Sequence, residues 1–148
     1  LNWLSIILQD KKEFEEAESL LQKALAVDPD DVDTAANLGA LYIYRGRPAD
    51  AEPLLRRAVR ISSTNVEART NLGTCLAMQE RYDEAIAEFE VIVAAGGHDP
   101  TIFNALGKAC GLKGDLASAA MWLQRSLDQD PNQPSVREWR DRARQQAQ

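Results

Sequence analysis

Apolar positions recur along this chain at a fixed spacing of 34 residues. Leu4, Leu38, Leu72 and Leu106 form one such set, and Ala17, Ala51, Ala85 and Ala119 a second. Leu21, Leu55, Phe89 and Leu123 form a third. Gly39, Gly73 and Gly107 follow the leucine, with Ser5 in the first copy, and Leu8, Tyr42, Leu76 and Cys110 come three residues later. No insertion breaks the register. A period of this length is the mark of stacked supersecondary units that bury their faces against one another.

Within each copy the spacing is helical. Leu38, Leu41 and Tyr42 fall on one face, and Ala51, Leu54, Leu55, Ala58 and Val59 on another. The run Asp28-Pro29-Asp30-Asp31 supplies a cap before the first of these helices, and Pro48 opens the second, where a proline is tolerated. The pattern predicts paired antiparallel helices over 32–44 and from Pro48, then 66–78 and 82–94, then 100–112 and 116–128. The first copy supplies 1–9 and 13–27. The expected division is therefore a shortened repeat at 1–31, whole repeats at 32–65, 66–99 and 100–133, and a closing helix at 134–148. Small residues such as Gly73 and Ala85 let paired helices approach, while Phe89 and Leu76 fill the adjoining space. Ala85→Leu should cost about 1–3 kcal/mol by overpacking.

These positions resemble the tetratricopeptide repeat. The second copy carries Leu38, Gly39, Tyr42, Ala51, Leu55 and Ala58, and the fourth carries Phe103, Leu106, Gly107, Ala119, Leu123 and Pro131. The likeness spans residues 1 to about 133. The chain departs from the pattern at the leading aromatic, which is Leu1, Ala35 and Arg69 in the first three copies, and at the closing proline, replaced by Ser63 and Gly97. The resemblance implies an all-α fold: an α-solenoid, wound as a right-handed superhelix of about four helix-turn-helix units with a C-terminal capping helix. It also implies a protein-interaction scaffold, with a peptide or helix of a partner held in a concave groove lined by the first helix of each repeat.

Carried onto this chain, the family's groove places are Asn2, Trp3, Ile6 and Gln9 in the first repeat, and Asp33, Ala36, Asn37, Ala40, Ile43 and Tyr44 in the second. The third gives Glu67, Thr70, Asn71, Thr74, Ala77 and Met78, the fourth Thr101, Asn104, Lys108 and Leu112, and the tail Glu138 and Arg142. Asn37 and Asn71 stand out, because an amide pairs with both N–H and C=O of a peptide backbone; the competing use is a hydrogen bond to the neighbouring repeat. Tyr44 and Met78 offer adaptable contact area or plain edge packing. Family members that clamp a terminal carboxylate use cations at places that are Asn2, Ile6, Asn37, Glu67 and Asn71 here, so that mode is not expected. The later frame, Ala36, Ala40, Asn71, Thr101 and Ala105, lacks cations too. Asp33 and Glu67 lie toward one end of the places, Lys108 and Arg142 toward the other, which predicts a partner basic at one end and acidic at the other.

Composition narrows the chemistry. A net charge of −6 argues against a nucleic-acid partner. There is no apolar run long enough for membrane insertion. The two cysteines, Cys75 and Cys110, fall inside the apolar pattern and read as buried thiols, and their spacing suggests neither a disulfide framework nor a metal site. His98, the one histidine, sits in the Gly96-Gly97-His98-Asp99-Pro100 connector without partners for catalysis. No enzyme, cofactor or metal is expected. Residues 1–8 are apolar nearly all round, so Trp3, Ile6 and Ile7 should be covered, by an earlier repeat or by a second copy in a homo-oligomer. A start at Leu1 in mid-repeat suggests a piece of a longer protein, in which a catalytic domain could also sit. Val136, Trp139 and Ala143 on one face of the tail suit a cap, and Arg137, Arg140 and Arg144 its solvated side. Abundant Ala and Arg suggest a GC-rich bacterial source. The compartment stays open, with cytoplasm weighed ahead of periplasm.

Overall fold

A computed structural model describes residues 11–148 of the chain. Eight helices and no strand occur among them: α1 (Lys11–Val27), α2 (Val32–Tyr44), α3 (Pro48–Ile61), α4 (Val66–Met78), α5 (Tyr82–Ala94), α6 (Pro100–Lys113), α7 (Leu116–Gln129) and α8 (Pro134–Gln146). The residues 1–9 expected as a helix, with Asn2, Trp3, Ile6 and Ile7, lie outside this range. Helices α2, α4 and α5 have the predicted ends, and α6 and α7 each run one residue further.

Local chemistry accounts for the ends. Asp31 caps α2, its carboxylate accepting from the Asp33 and Thr34 backbone N–H groups at 3.1 and 3.3 Å and from the Thr34 hydroxyl at 2.6 Å. Asn65 accepts from Ala68 N–H at 2.8 Å ahead of α4, and Asp99 from Thr101 N–H at 2.8 Å ahead of α6. Asp115 does the same for α7 through Ser118 N–H at 3.1 Å. These bonds satisfy donors that have no partner inside a helix.

Two compact units divide the chain, the first ending at Asn71 and the second running Leu72–Gln148. In the first, α1 packs on α2 and α2 on α3. Leu38, Leu41, Tyr42, Ala51, Leu55 and Ala58 are buried there, as the periodicity predicts. Ala35, Ala36, Ala58 and Ala68 form a small-residue core that Leu25, Val32 and Val59 border. Phe14 of α1 is buried and stacks on Tyr44, with ring centroids 5.5 Å apart.

In the second unit α5 packs on α6, α6 on α7 and α7 on α8. Its core holds Leu72, Cys75, Leu76, Ala85, Phe89, Phe103, Leu106 and Leu123. Close approach is built in at two glycines. A Cβ on Gly73 would stand 2.6 Å from the Phe89 ring, and one on Gly107 2.6 Å from Leu123 Cγ. The tail helix α8 sets Ala143 into the core, and its Arg140 and Arg144 both donate to Gln124 of α7, at 2.9 and 3.0 Å.

Candidate functional site

The groove places of the first unit stand on α2 and the opening turns of α4. Asp33 and Asn37 are exposed and Ala40 is half-buried. Asp33 already accepts a hydrogen bond from Asn65 Nδ2 at 3.2 Å. Tyr44 is 62% exposed, one ring face against Phe14 and the remainder open. Glu67 is exposed in the first turn of α4, where the helix dipole favours an anion. Asn71 is half-buried, and its Nδ2 donates to the Ala36 carbonyl at 3.3 Å. Its amide N–H is therefore engaged by the neighbouring helix, the structural use weighed against peptide binding, whereas Asn37 one repeat earlier is exposed.

In the second unit the places converge. Thr74, Ala77 and Met78 of α4 face Ala105, Lys108, Ala109 and Leu112 of α6 across a recess of about 250 Å³, floored by Phe89. A second recess, about 270 Å³, lies between α6 and α8 and is lined by Asn104, Lys108, Leu123, Ser135, Val136 and Trp139. A third, about 250 Å³, opens beside it between Leu112, Leu116, Trp139 and Arg142. Met78 and Leu112 are 45% and 52% exposed, far more than the core stripe behind them. Lys108 and Arg142 are exposed.

A buried polar network sets the chemistry of the second recess. Ser126, fully buried, donates to the Pro100 carbonyl at 3.1 Å and accepts from Gln133 Nε2 at 3.0 Å. Gln133 Nε2 also reaches the Asp130 carbonyl at 3.0 Å. With its nitrogen so held, Gln133 turns Oε1 to Asn104, whose Nδ2 donates at 2.7 Å. Asn104 Oδ1 is left buried with no partner among the described residues.

Ser126, Gln133 and Trp139 are the residues that sequence reasoning underrated. A lone hydroxyl between Leu123 and Leu127 in the apolar stripe of α7 was the available signal for the first. Trp139 was assigned to the covered face of α8, and it is 39% exposed on the wall of two recesses.

Cys75 and Cys110 are buried free thiols, and burial, aided by the charges of Asp115 and Glu90, pushes the Cys110 thiol up to about 11. His98 is exposed in its connector. Among the described residues no cluster of His, Cys, Asp and Glu has metal-site geometry, and no helix is long and apolar enough to cross a membrane.

Comparison with known proteins agrees with this architecture. Two tetratricopeptide repeat profiles match, over residues 1–64 and 42–109. Among curated proteins none matches. Of solved structures, the crystal structure of MamA superposes with a TM-score of 0.86 at 24% identity, covering 93% of this chain and 80% of that one. The crystal structure of YrrB, described as a TPR protein with an unusual peptide-binding site, gives 0.77 at 26% identity, covering 91% and 68%. The first TPR domain of human RPAP3 gives 0.72 at 17% identity, covering 79% and 92%. The repeat register, the helix pairs it folds into and these matches lead to one conclusion: the chain belongs to the tetratricopeptide repeat family.

Proposed function

We propose that this chain is a protein-interaction module that takes a peptide or helix of a partner protein on the first helices of its repeats. We divide it, as the register suggests, into repeats at 1–31, 32–65, 66–99 and 100–133 and a closing helix at 134–148. The observation that carries the reading is the exposure of large apolar side chains at groove places. Tyr44, Met78 and Leu112 lie open on helices whose opposite faces are buried. Apolar groups left open on rigid helices are the material of binding hot spots, and preformed helices lower the ordering cost of association. The peptide-binding description of the similar YrrB supports the same use.

The contacts assigned are Asp33, Asn37, Ala40, Tyr44 and Glu67 in the first unit, and Thr74, Met78, Asn104, Lys108 and Arg142 in the second. Asn71 is a weaker contact than its exposed counterpart Asn37, since its N–H holds Ala36. Affinity capture with three baits tests this: the chain, an Asn37→Arg/Tyr44→Glu variant, and a Met78→Arg/Leu112→Arg variant, each checked by circular dichroism. A protein retained by the first bait and lost from either variant supports the reading. Equal retention by all three moves the working surface to the opposite faces of the repeats.

A further inference from the structure

The three recesses of the second unit share walls. Lys108 stands between the first and second, Leu112 between the first and third, and Trp139 between the second and third. They are therefore one continuous surface. Met78, Leu112 and Trp139 form its apolar ground, and Lys108 and Arg142 stand along it.

Its charge is opposite to that of the molecule. The chain carries −6, yet no carboxylate lines any of the three recesses, and both charged residues that do are cations. Some cations of this unit are ion-paired, Lys113 with Asp83 and Arg140 with Asp141, and others rest on neutral groups, Arg137 on the Pro131 carbonyl, Arg144 on Gln124 and Arg125 on the Trp122 ring. Lys108 and Arg142 form no ion pair with a described residue, although Glu138 lies one helical turn from Arg142 on α8. Each recess is also smaller than the roughly 300–1,000 Å³ of pockets that engulf small molecules. Their size suits single side chains.

We infer that the second unit recognises an acidic amphipathic segment of a partner protein: a large apolar side chain seats against Leu112, and a carboxylate within a helical turn of it meets Lys108 or Arg142. This rests on the interaction-module reading and names the partner's chemistry at one part of it. The apolar anchor supplies affinity, and the carboxylate supplies discrimination and association rate.

Selection of random peptides displayed on phage, with the intact chain as target, tests the assignment. Enriched peptides should carry Asp or Glu within a turn of Leu, Ile, Met, Phe or Trp. A representative synthetic peptide should bind at least about tenfold more weakly to Leu112→Glu and to Lys108→Glu/Arg142→Glu. A peptide with its acidic residues changed to lysine should regain binding to the double variant and not to the original chain. All these positions are exposed, and circular dichroism confirms folding of each variant. Peptides that ignore these substitutions and are lost on Asn37→Arg would overturn this assignment and leave the interaction module standing. Enrichment of no peptide would overturn both.

Discussion

The Phe89 ring occupies the space where a methyl group on Gly73 would stand, with Cε1 2.6 Å and Cζ 2.7 Å from an ideal Cβ at that position. The glycine is thus a spacer that lets α4 lie on the ring. Gly73→Ala adds helix propensity worth about 1 kcal/mol. Overpacking against a fully buried ring costs about 1–3 kcal/mol. The net expectation is a loss of up to about 2 kcal/mol in urea unfolding, and Gly73→Ala/Phe89→Leu should recover part of it.

Asn71 and Asn37 occupy one register position and should separate experimentally. Asn71→Ala removes the donor to the Ala36 carbonyl and should cost about 1 kcal/mol in stability. Asn37→Ala, on an exposed side chain, should stay within about 0.5 kcal/mol of the parent. Equal losses in thermal melts would refute the distinction.

Ser126 joins two partners inside the second unit. Ser126→Ala removes its bond to the Pro100 carbonyl and takes an acceptor from Gln133, so a loss of about 1–3 kcal/mol is expected despite the small change in volume. Gln133→Leu leaves Asn104 Nδ2 without its acceptor and should loosen α8. Hydrogen exchange should show faster exchange in residues 134–146 for both variants than for the parent.

Glu80 carries a left-handed φ of +60°, and Gly46 and Gly114, one repeat away on either side, carry +69° and +95°. The turn between paired helices demands the same backbone at each place, and Glu80 adopts it with a Cβ that opposes it. Relief of this strain by Glu80→Gly is worth about 1–2 kcal/mol, and the added freedom of the unfolded chain offsets about 0.5–1 kcal/mol. The variant should be more stable by about 0.5–1 kcal/mol, read as a higher urea midpoint at unchanged slope.

Acid should weaken the caps. The Asp99 carboxyl lies below its ordinary 3.8 because the Thr101 hydroxyl and backbone N–H both donate to it. Asp31 and Asp115 are lowered in the same way by Thr34 and Ser118. A carboxyl with a lower pKa folded than unfolded stabilises the fold above its unfolded value. That contribution disappears as pH falls through the folded value. Stability should therefore decline as pH drops below about 4. Asp99→Asn should lessen that decline, and Asp99→Ala should cost about 1 kcal/mol at neutral pH.

The helices were legible because their determinants are local. Asp31 and Asp99 before an apolar run, Pro48 and Pro100 at helix starts, and leucines 34 apart each act within a few residues or one repeat. The buried stripes followed for the same reason. What stayed hidden depends on how side chains meet in space. Asn71 and Asn37 look alike in the register, and only the position of the Ala36 carbonyl separates them. The bond from Asn104 to Gln133 spans 29 residues, and no spacing rule announces it. The strain at Glu80 was readable in principle, since Gly46 and Gly114 flank it one period away.

Shared walls tie the recesses of the second unit together like letters read in overlapping windows. Lys108, Leu112 and Trp139 each border two of them, so one substitution rewrites two adjacent letters at once. Variation at these positions is therefore a matter of pairs: a change that suits one neighbour of a bound segment disturbs the next, and a compensating change must arrive beside it.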